Sequence, residues 1–159
     1  MHKITIILGI AVSAFILGCE NEGNSVVHHQ GNNCLECHSF TSAATIYTDL
    51  RGKYDTDEAT ANGYTIQLLL DNGSTIKYKQ GNGHGNVLWK GDAGAINNFT
   101  AQVLDPNGNV VNSSKKNSHN VGRLACNVCH TQLGLNGAPG RIVSYQYSTL
   151  KYNLKDKPL

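Results

Sequence analysis

The sequence has little charge, little aromatic character and almost no methionine. Charged residues make up 15% of the 159 residues and the formal net charge is only +2. No basic stripe runs along the chain, which excludes the electrostatic footprint of a nucleic-acid-binding protein. The single methionine is Met1, so removal of an N-terminal segment leaves no thioether side chain. By contrast, the 17 glycines favour turns and short strands over long helices.

The only long apolar run lies at the N-terminus, directly behind Lys3. It covers residues 4–17, which is too short to span a bilayer stably. The run ends in Ile16-Leu17-Gly18-Cys19, which resembles the lipobox of bacterial lipoproteins. The alternative is an ordinary secretory signal that happens to precede a cysteine.

The lipobox resemblance implies a signal peptide over residues 1–18 and a lipid chain on Cys19. Residues 19–27 then form a polar tether. Glu20, rather than an aspartate, follows the cysteine, so the resemblance implies anchoring at the outer membrane. The protein would be exported and lipid-anchored there, on the periplasmic side or at the cell surface.

The other four cysteines form two copies of one motif. Cys34-Leu35-Glu36-Cys37-His38 and Cys126-Asn127-Val128-Cys129-His130 both read C-x-x-C-H. This is the attachment sequence of c-type haem, in which two thiols reach the two vinyl groups of one porphyrin. The adjacent histidine then becomes an axial ligand of the iron. The sequence therefore predicts two covalently bound haems, with His38 and His130 as proximal ligands.

Three other uses of these cysteines are compatible with their spacing. Zinc binds such pairs but needs no histidine directly after each of them. A thioredoxin-like redox pair needs an α/β pattern around it, which the chain lacks. Structural disulfides suit an exported protein, yet pairs this closely spaced crosslink little of the chain.

Each motif follows a similar leader, which reads H-x-x-G and then two or three residues before the first cysteine. The leaders begin at His28 and His119, and residues 137–141 read Gly-Ala-Pro-Gly-Arg. In these features residues 28–143 resemble small cytochrome modules of the periplasmic and cell-surface multihaem proteins of metal-respiring bacteria. The resemblance implies an immunoglobulin-like or transthyretin-like β domain between the two haem motifs.

The residues between the motifs also favour strands. Residues 64–70 lead through Asp71-Asn72-Gly73 into residues 74–78, which is a hairpin signal with the positive φ angles of a type I′ turn. The predicted fold is mainly β, a small antiparallel immunoglobulin-like β-sandwich flanked by two haem-binding loop segments. Within a single domain over residues 28–159, the predicted parts are haem segment 1 (28–43), the β-sandwich (44–114), haem segment 2 (115–141) and a C-terminal segment (142–159).

The distal ligands of the two irons are the least determined part of the site. Methionine is absent after residue 1, which leaves His28, His29, His84 and His119. The repeated leader and the resemblance favour His28 and His119, with His84 as the rival for either place. Arg123 or Arg141 is a candidate partner for the haem propionates, because arginine binds carboxylates in a bidentate manner. Ordinary solvated surface charge is the other reading of these arginines.

Ligation by two histidines leaves no open coordination position and lacks the thioether that raises potential. We therefore expect an electron carrier of low potential rather than an enzyme, with other cytochromes as redox partners and the membrane contacted through the lipid. A polymeric cytochrome filament is the alternative, in which His84 would ligate the haem of the next copy. A dihaem peroxidase or reductase is a third reading, and it would require one five-coordinate haem.

Overall fold

The computed structural model describes residues 30–48, 50, 60–81 and 84–146. Several predicted features lie outside the described residues. They are the signal peptide (1–18), Cys19, the tether (19–27), His28, His29 and the part of the C-terminal segment beyond residue 146.

Short strands account for most of the regular structure. The strands of the described residues are β1 (Ser42–Tyr47), β2 (Thr65–Leu70), β3 (Thr75–Lys77), β4 (Lys79–Gln80), β5 (Asn86–Trp89), β6 (Asn98–Leu104), β7 (Val110–Ser113), β8 (His119–Asn120) and β9 (Ile142–Val143). They form two sheets, one in the order β4-β5-β1-β9 and the other in the order β3-β2-β6-β7, with β8 paired to β6. The prediction of a mainly β chain built as a small sandwich is confirmed.

Alternating side chains of the two sheets form one core between them. Ile46 and Val87 project from the first sheet, and Leu68, Phe99 and Val103 from the second, and all are at least 95% buried. This pattern follows from the period of two residues in a strand, which places every second side chain on the same face. β1 is buried along its whole length because it lies between β5 and β9.

The helical elements are single turns. The 3₁₀ turns cover Cys34–Glu36, Ala93–Ala95 and Val121–Arg123, and the only α-helical turn of the described residues, α1, covers Cys126–Cys129. Within the described ranges, no helix has the length and apolar character needed to cross a membrane.

The predicted hairpin at residues 70–74 is present, but its turn type was predicted wrongly. A type I′ turn needs positive φ at both central residues, whereas Gly73 has φ +84° and Asn72 is not in the positive region. The Leu70 N–H donates to Ser74 O and the Gly73 N–H donates to Leu70 O. This is the three-residue loop in which a turn is followed by a left-handed glycine, so glycine is required at one position rather than two.

The loop that carries the second C-x-x-C-H motif is attached at both ends to one strand. Ala125 forms a parallel bridge with Ala43 of β1, and Ile142 of β9 pairs in parallel with Ile46 of the same strand. At about 3.3 Å per residue, the two attachment points lie about 10 Å apart along β1. Both ends of the loop that carries the C-x-x-C-H motif are therefore fixed to the most deeply buried strand. The sheets also extend beyond the predicted sandwich range of 44–114, through β8 and β9.

Candidate functional site

The second C-x-x-C-H motif borders a cavity of about 410 Å³. Cys126 and Cys129 stand at the two ends of α1, and His130 follows directly, so one helical turn presents all three side chains to the cavity. The opposite wall is formed by apolar side chains of the sheets, including Phe99, Val103 and Ile142. A mostly apolar cavity of this size with a few converging polar groups is typical of a cofactor site.

The ring of His130 is held by one hydrogen bond in the orientation that a metal ligand requires. His130 Nδ1 donates to the Gly140 carbonyl at 2.8 Å, which leaves Nε2 as the nitrogen with a free lone pair. Burial lowers the pKa of His130 below its ordinary value, against the smaller opposing effect of the Gly140 hydrogen bond. The side chain is therefore neutral near pH 7, which is the form that binds iron.

His119 lies beside His130 and lines the same cavity. The two imidazole centroids are 6.2 Å apart and the ring planes differ by 15°. His119 belongs to β8, where it pairs with Phe99 of β6, and the two rings stack with centroids 5.4 Å apart. Burial lowers the pKa of His119, and the nearby charges of His130 and Arg123 lower it further. His119 begins the leader of the second motif and His130 ends that motif. They are 11 positions apart in the chain, yet both line this cavity.

The rim of this cavity is cationic. Lys115 and Arg123 both line it and both are exposed. Arg141, the other arginine considered for propionate binding, is only 1% exposed and stacks over the Tyr47 ring at 4.4 Å. The structure therefore favours Arg123 over Arg141 for contacts with a carboxylate at the cavity mouth, and it adds Lys115, which the sequence reasoning did not name.

A buried polar cluster surrounds the first cysteine of the second motif. Ser42 Oγ is hydrogen-bonded to the Tyr78 hydroxyl and to the Leu124 carbonyl, and it lies 3.9 Å from Cys126 Sγ. Burial raises the pKa of the Cys126 thiol to about 11, and it raises the pKa of Tyr78 as well. Cys126 is consequently a protonated thiol near pH 7, held at a defined position until it reacts.

The first motif is more exposed than the second. His38 lies at the surface, where its ring stacks on Phe40 with centroids 4.9 Å apart, and Lys90 Nζ lies 5.1 Å from the centre of the Phe40 ring. Cys34 is a free thiol.

The remaining alternatives for the cysteines are weakened by these positions. Cys34, Cys126 and Cys129 are all free, so neither C-x-x-C pair is closed on itself as a disulfide. Among the described residues, no group of three or more histidine, cysteine or acidic side chains could hold a metal ion, so no tetrahedral zinc site is assembled there. His84 is half-buried just before β5 and is not among the residues that line the cavity of the second motif.

Comparison with protein families, with curated proteins and with solved structures finds no match for this chain. Its function must therefore be inferred from the geometry of these residues. That geometry joins two thiols, two neutral imidazoles and a cationic rim around one apolar cavity.

The loop after His130 provides the first testable prediction. A Cβ placed on Gly134, where φ is +74°, would lie 2.0 Å from the Ala138 carbonyl oxygen and 2.8 Å from Gly140 N. We expect Gly134→Ala to displace the loop, to remove the Gly140 acceptor from His130 and to lower the free energy of unfolding by more than the ~1–3 kcal/mol of backbone strain alone. Urea unfolding and the visible spectrum of the haem-loaded protein measure both effects.

Gly137→Ala is the matched control for this substitution. Gly137 lies in the same loop with φ +84°, but an added Cβ meets nothing within 4 Å. It therefore carries the backbone strain without the collision. Equal effects of the two substitutions would show that the close approach at Gly134 does not hold the loop in place.

Proposed function

We propose that this protein is a dihaem c-type cytochrome that transfers electrons. The observation that carries the proposal is the meeting of His119 and His130 at the cavity bounded by Cys126 and Cys129. The C-x-x-C-H spacing alone predicts attachment and one axial ligand. The neutral imidazole of His119, on strand β8, lies beside that of His130, which follows α1. This position supports a site with two histidine ligands.

The residues of the second site fit a haem in chemistry as well as in arrangement. Cys126 and Cys129 would form the thioether bonds, and His130 and His119 would ligate the iron through their Nε2 atoms. Phe99 and Ile142 would give the porphyrin apolar surface, while the exposed Lys115 and Arg123 would be available to its propionates. The haem itself would supply reversible one-electron chemistry at iron.

The first site is proposed from the same C-x-x-C-H motif and leader, although fewer of its residues lie within the described ranges. Cys34 and Cys37 would hold the haem of the first motif, His38 would be its proximal ligand, and the leader histidine His28 would be the distal one. His84 stays the rival ligand. With both irons saturated by histidine, the protein would carry electrons at low potential rather than activate a substrate. We propose that Cys19 carries the lipid that anchors the protein at the outer membrane, where other cytochromes are its redox partners.

Haem stoichiometry tests the proposal directly. The protein is produced with a haem-maturation system and its intact mass is measured after denaturation, when only covalently bound haem remains. We expect the mass of the polypeptide plus two haems. The double variant Cys126→Ser/Cys129→Ser should carry one haem, still attached through Cys34 and Cys37. A wild-type mass without haem would refute the proposed function.

A further inference from the structure

Asn127 joins the two C-x-x-C-H segments to each other. It lies between the cysteines of the second motif and is only 4% exposed. Its side-chain oxygen accepts from the Thr45 N–H at 3.0 Å, and its Nδ2 lies 3.1 Å from Thr45 Oγ1. The same nitrogen donates to the Asn32 carbonyl at 2.8 Å and lies 3.9 Å from Cys34 Sγ. One amide thus contacts β1, the leader of the first motif and the first cysteine of that motif.

The leader of the first motif also bonds directly to Thr45. Gly31 N–H donates to Thr45 Oγ1 at 3.0 Å, and Thr45 Oγ1 in turn donates to Asn86 Oδ1 at 2.7 Å. Thr45 is 1% exposed, and its two hydrogen bonds with Asn127 are shielded from water. Hydrogen bonds shielded in this way are stronger than exposed ones, and an unpaired group within them is costly. The two motifs, more than 90 residues apart in sequence, therefore share one buried hydrogen-bonded junction.

We propose that Asn127 is a positioning residue that sets the relative placement of the two haems. The proposal rests on the proposed function, because it concerns the haems that the two motifs would hold. Cys34 Sγ, which would bond to one porphyrin, is in contact with the residue next to Cys126 Sγ, which would bond to the other. Attachment at these two sulfur atoms would place the two haems on neighbouring segments, which the amide of Asn127 holds together.

The test uses the haem-loaded wild-type protein and the variant Asn127→Ala. Close, fixed haems give a bisignate circular dichroism signal in the Soret region. They also give two separated reduction potentials, because the electron gained by one iron disfavours reduction of the other at short range. We expect Asn127→Ala to retain two haems and low-spin spectra while it loses the bisignate signal and brings the two potentials together.

The control variant is Gln67→Ala. It removes a half-buried hydrogen bond between the side-chain amides of Gln67 on β2 and Gln102 on β6, away from both motifs. It should keep the wild-type dichroism, which separates positioning from a general loss of stability. If Asn127→Ala fails to fold or mature, Asn127→Asp keeps the acceptor for Thr45 N–H and loses the three donor contacts of Nδ2, and it should show the same loss of signal. Two haems without a bisignate signal in the wild type, or a variant with unchanged dichroism and potentials, would overturn the proposal. A wild type without haem would instead refute the proposed function.

Discussion

His119→Ala is expected to convert one of the two haems from low-spin to high-spin iron. The side chain lines the cavity of the second motif, and its ring lies 6.2 Å from that of His130. Alanine offers no donor, and the chain has no methionine after Met1 that could replace the histidine. Electron paramagnetic resonance of the oxidised protein should show a new high-spin signal together with one unchanged low-spin signal.

Two additions make this experiment specific. Added imidazole should restore the low-spin signal of His119→Ala, because the missing ring leaves a cavity of its own shape. His84→Ala should leave the second haem unchanged, since that histidine does not line the cavity. If His84→Ala produces the high-spin signal and His119→Ala does not, the leader pattern has identified the wrong ligand.

The proposed haem chemistry comes from the sequence, because covalent attachment imposes a strict local pattern. Two thiols must reach one porphyrin and a histidine must follow them, so the spacing alone predicts Cys126, Cys129 and His130. His119 was predicted as a ligand from its position in a repeated leader, and the structure places it beside His130. The structure gives a different reason for its placement, since it is a strand residue paired with Phe99 rather than part of a loop.

The residues that support the site could not be predicted in this way. Asn127 occupies a variable position of the C-x-x-C pattern, and its contacts with Asn32 and Thr45 depend on the packing of distant segments. The Gly140 carbonyl that orients His130 is a backbone group, so the residue type at position 140 does not predict this hydrogen bond. The same applies to the parallel pairing of β9 with β1, because two-residue strands have no period that a sequence pattern could reveal.

The fold was predicted more completely than the site because alternation and turn residues are local signals. The segment at residues 64–70 and the turn at residues 71–73 were both correctly placed, even though the turn type was wrong. The error arose because Asn-Gly is compatible with more than one hairpin loop, and strand register decides between them. Local sequence thus specified where the chain turns but not how many residues the turn contains.

Phe99→Ala is expected to be among the most destabilising single substitutions in this chain. Phe99 is 2% exposed and belongs to the core between the sheets, so its truncation should cost about 3–5 kcal/mol. That is a large part of the stability of an ordinary small domain. Its ring also stacks on His119, so the loss should extend to the distal ligand of the second haem. Urea unfolding measures the first effect and electron paramagnetic resonance the second.

Two further variants separate packing from ligand support. Leu68→Ala removes a side chain that is 1% exposed in the neighbouring strand β2, and it should cost about 2–5 kcal/mol without altering the spectrum of the second haem. Phe99→Leu keeps an apolar side chain in the core but removes the aromatic face against His119. It should cost less stability than Leu68→Ala and change the second haem more. The opposite order would mean that Phe99 acts only as core packing, and that His119 is held by the pairing of β8 with β6 alone.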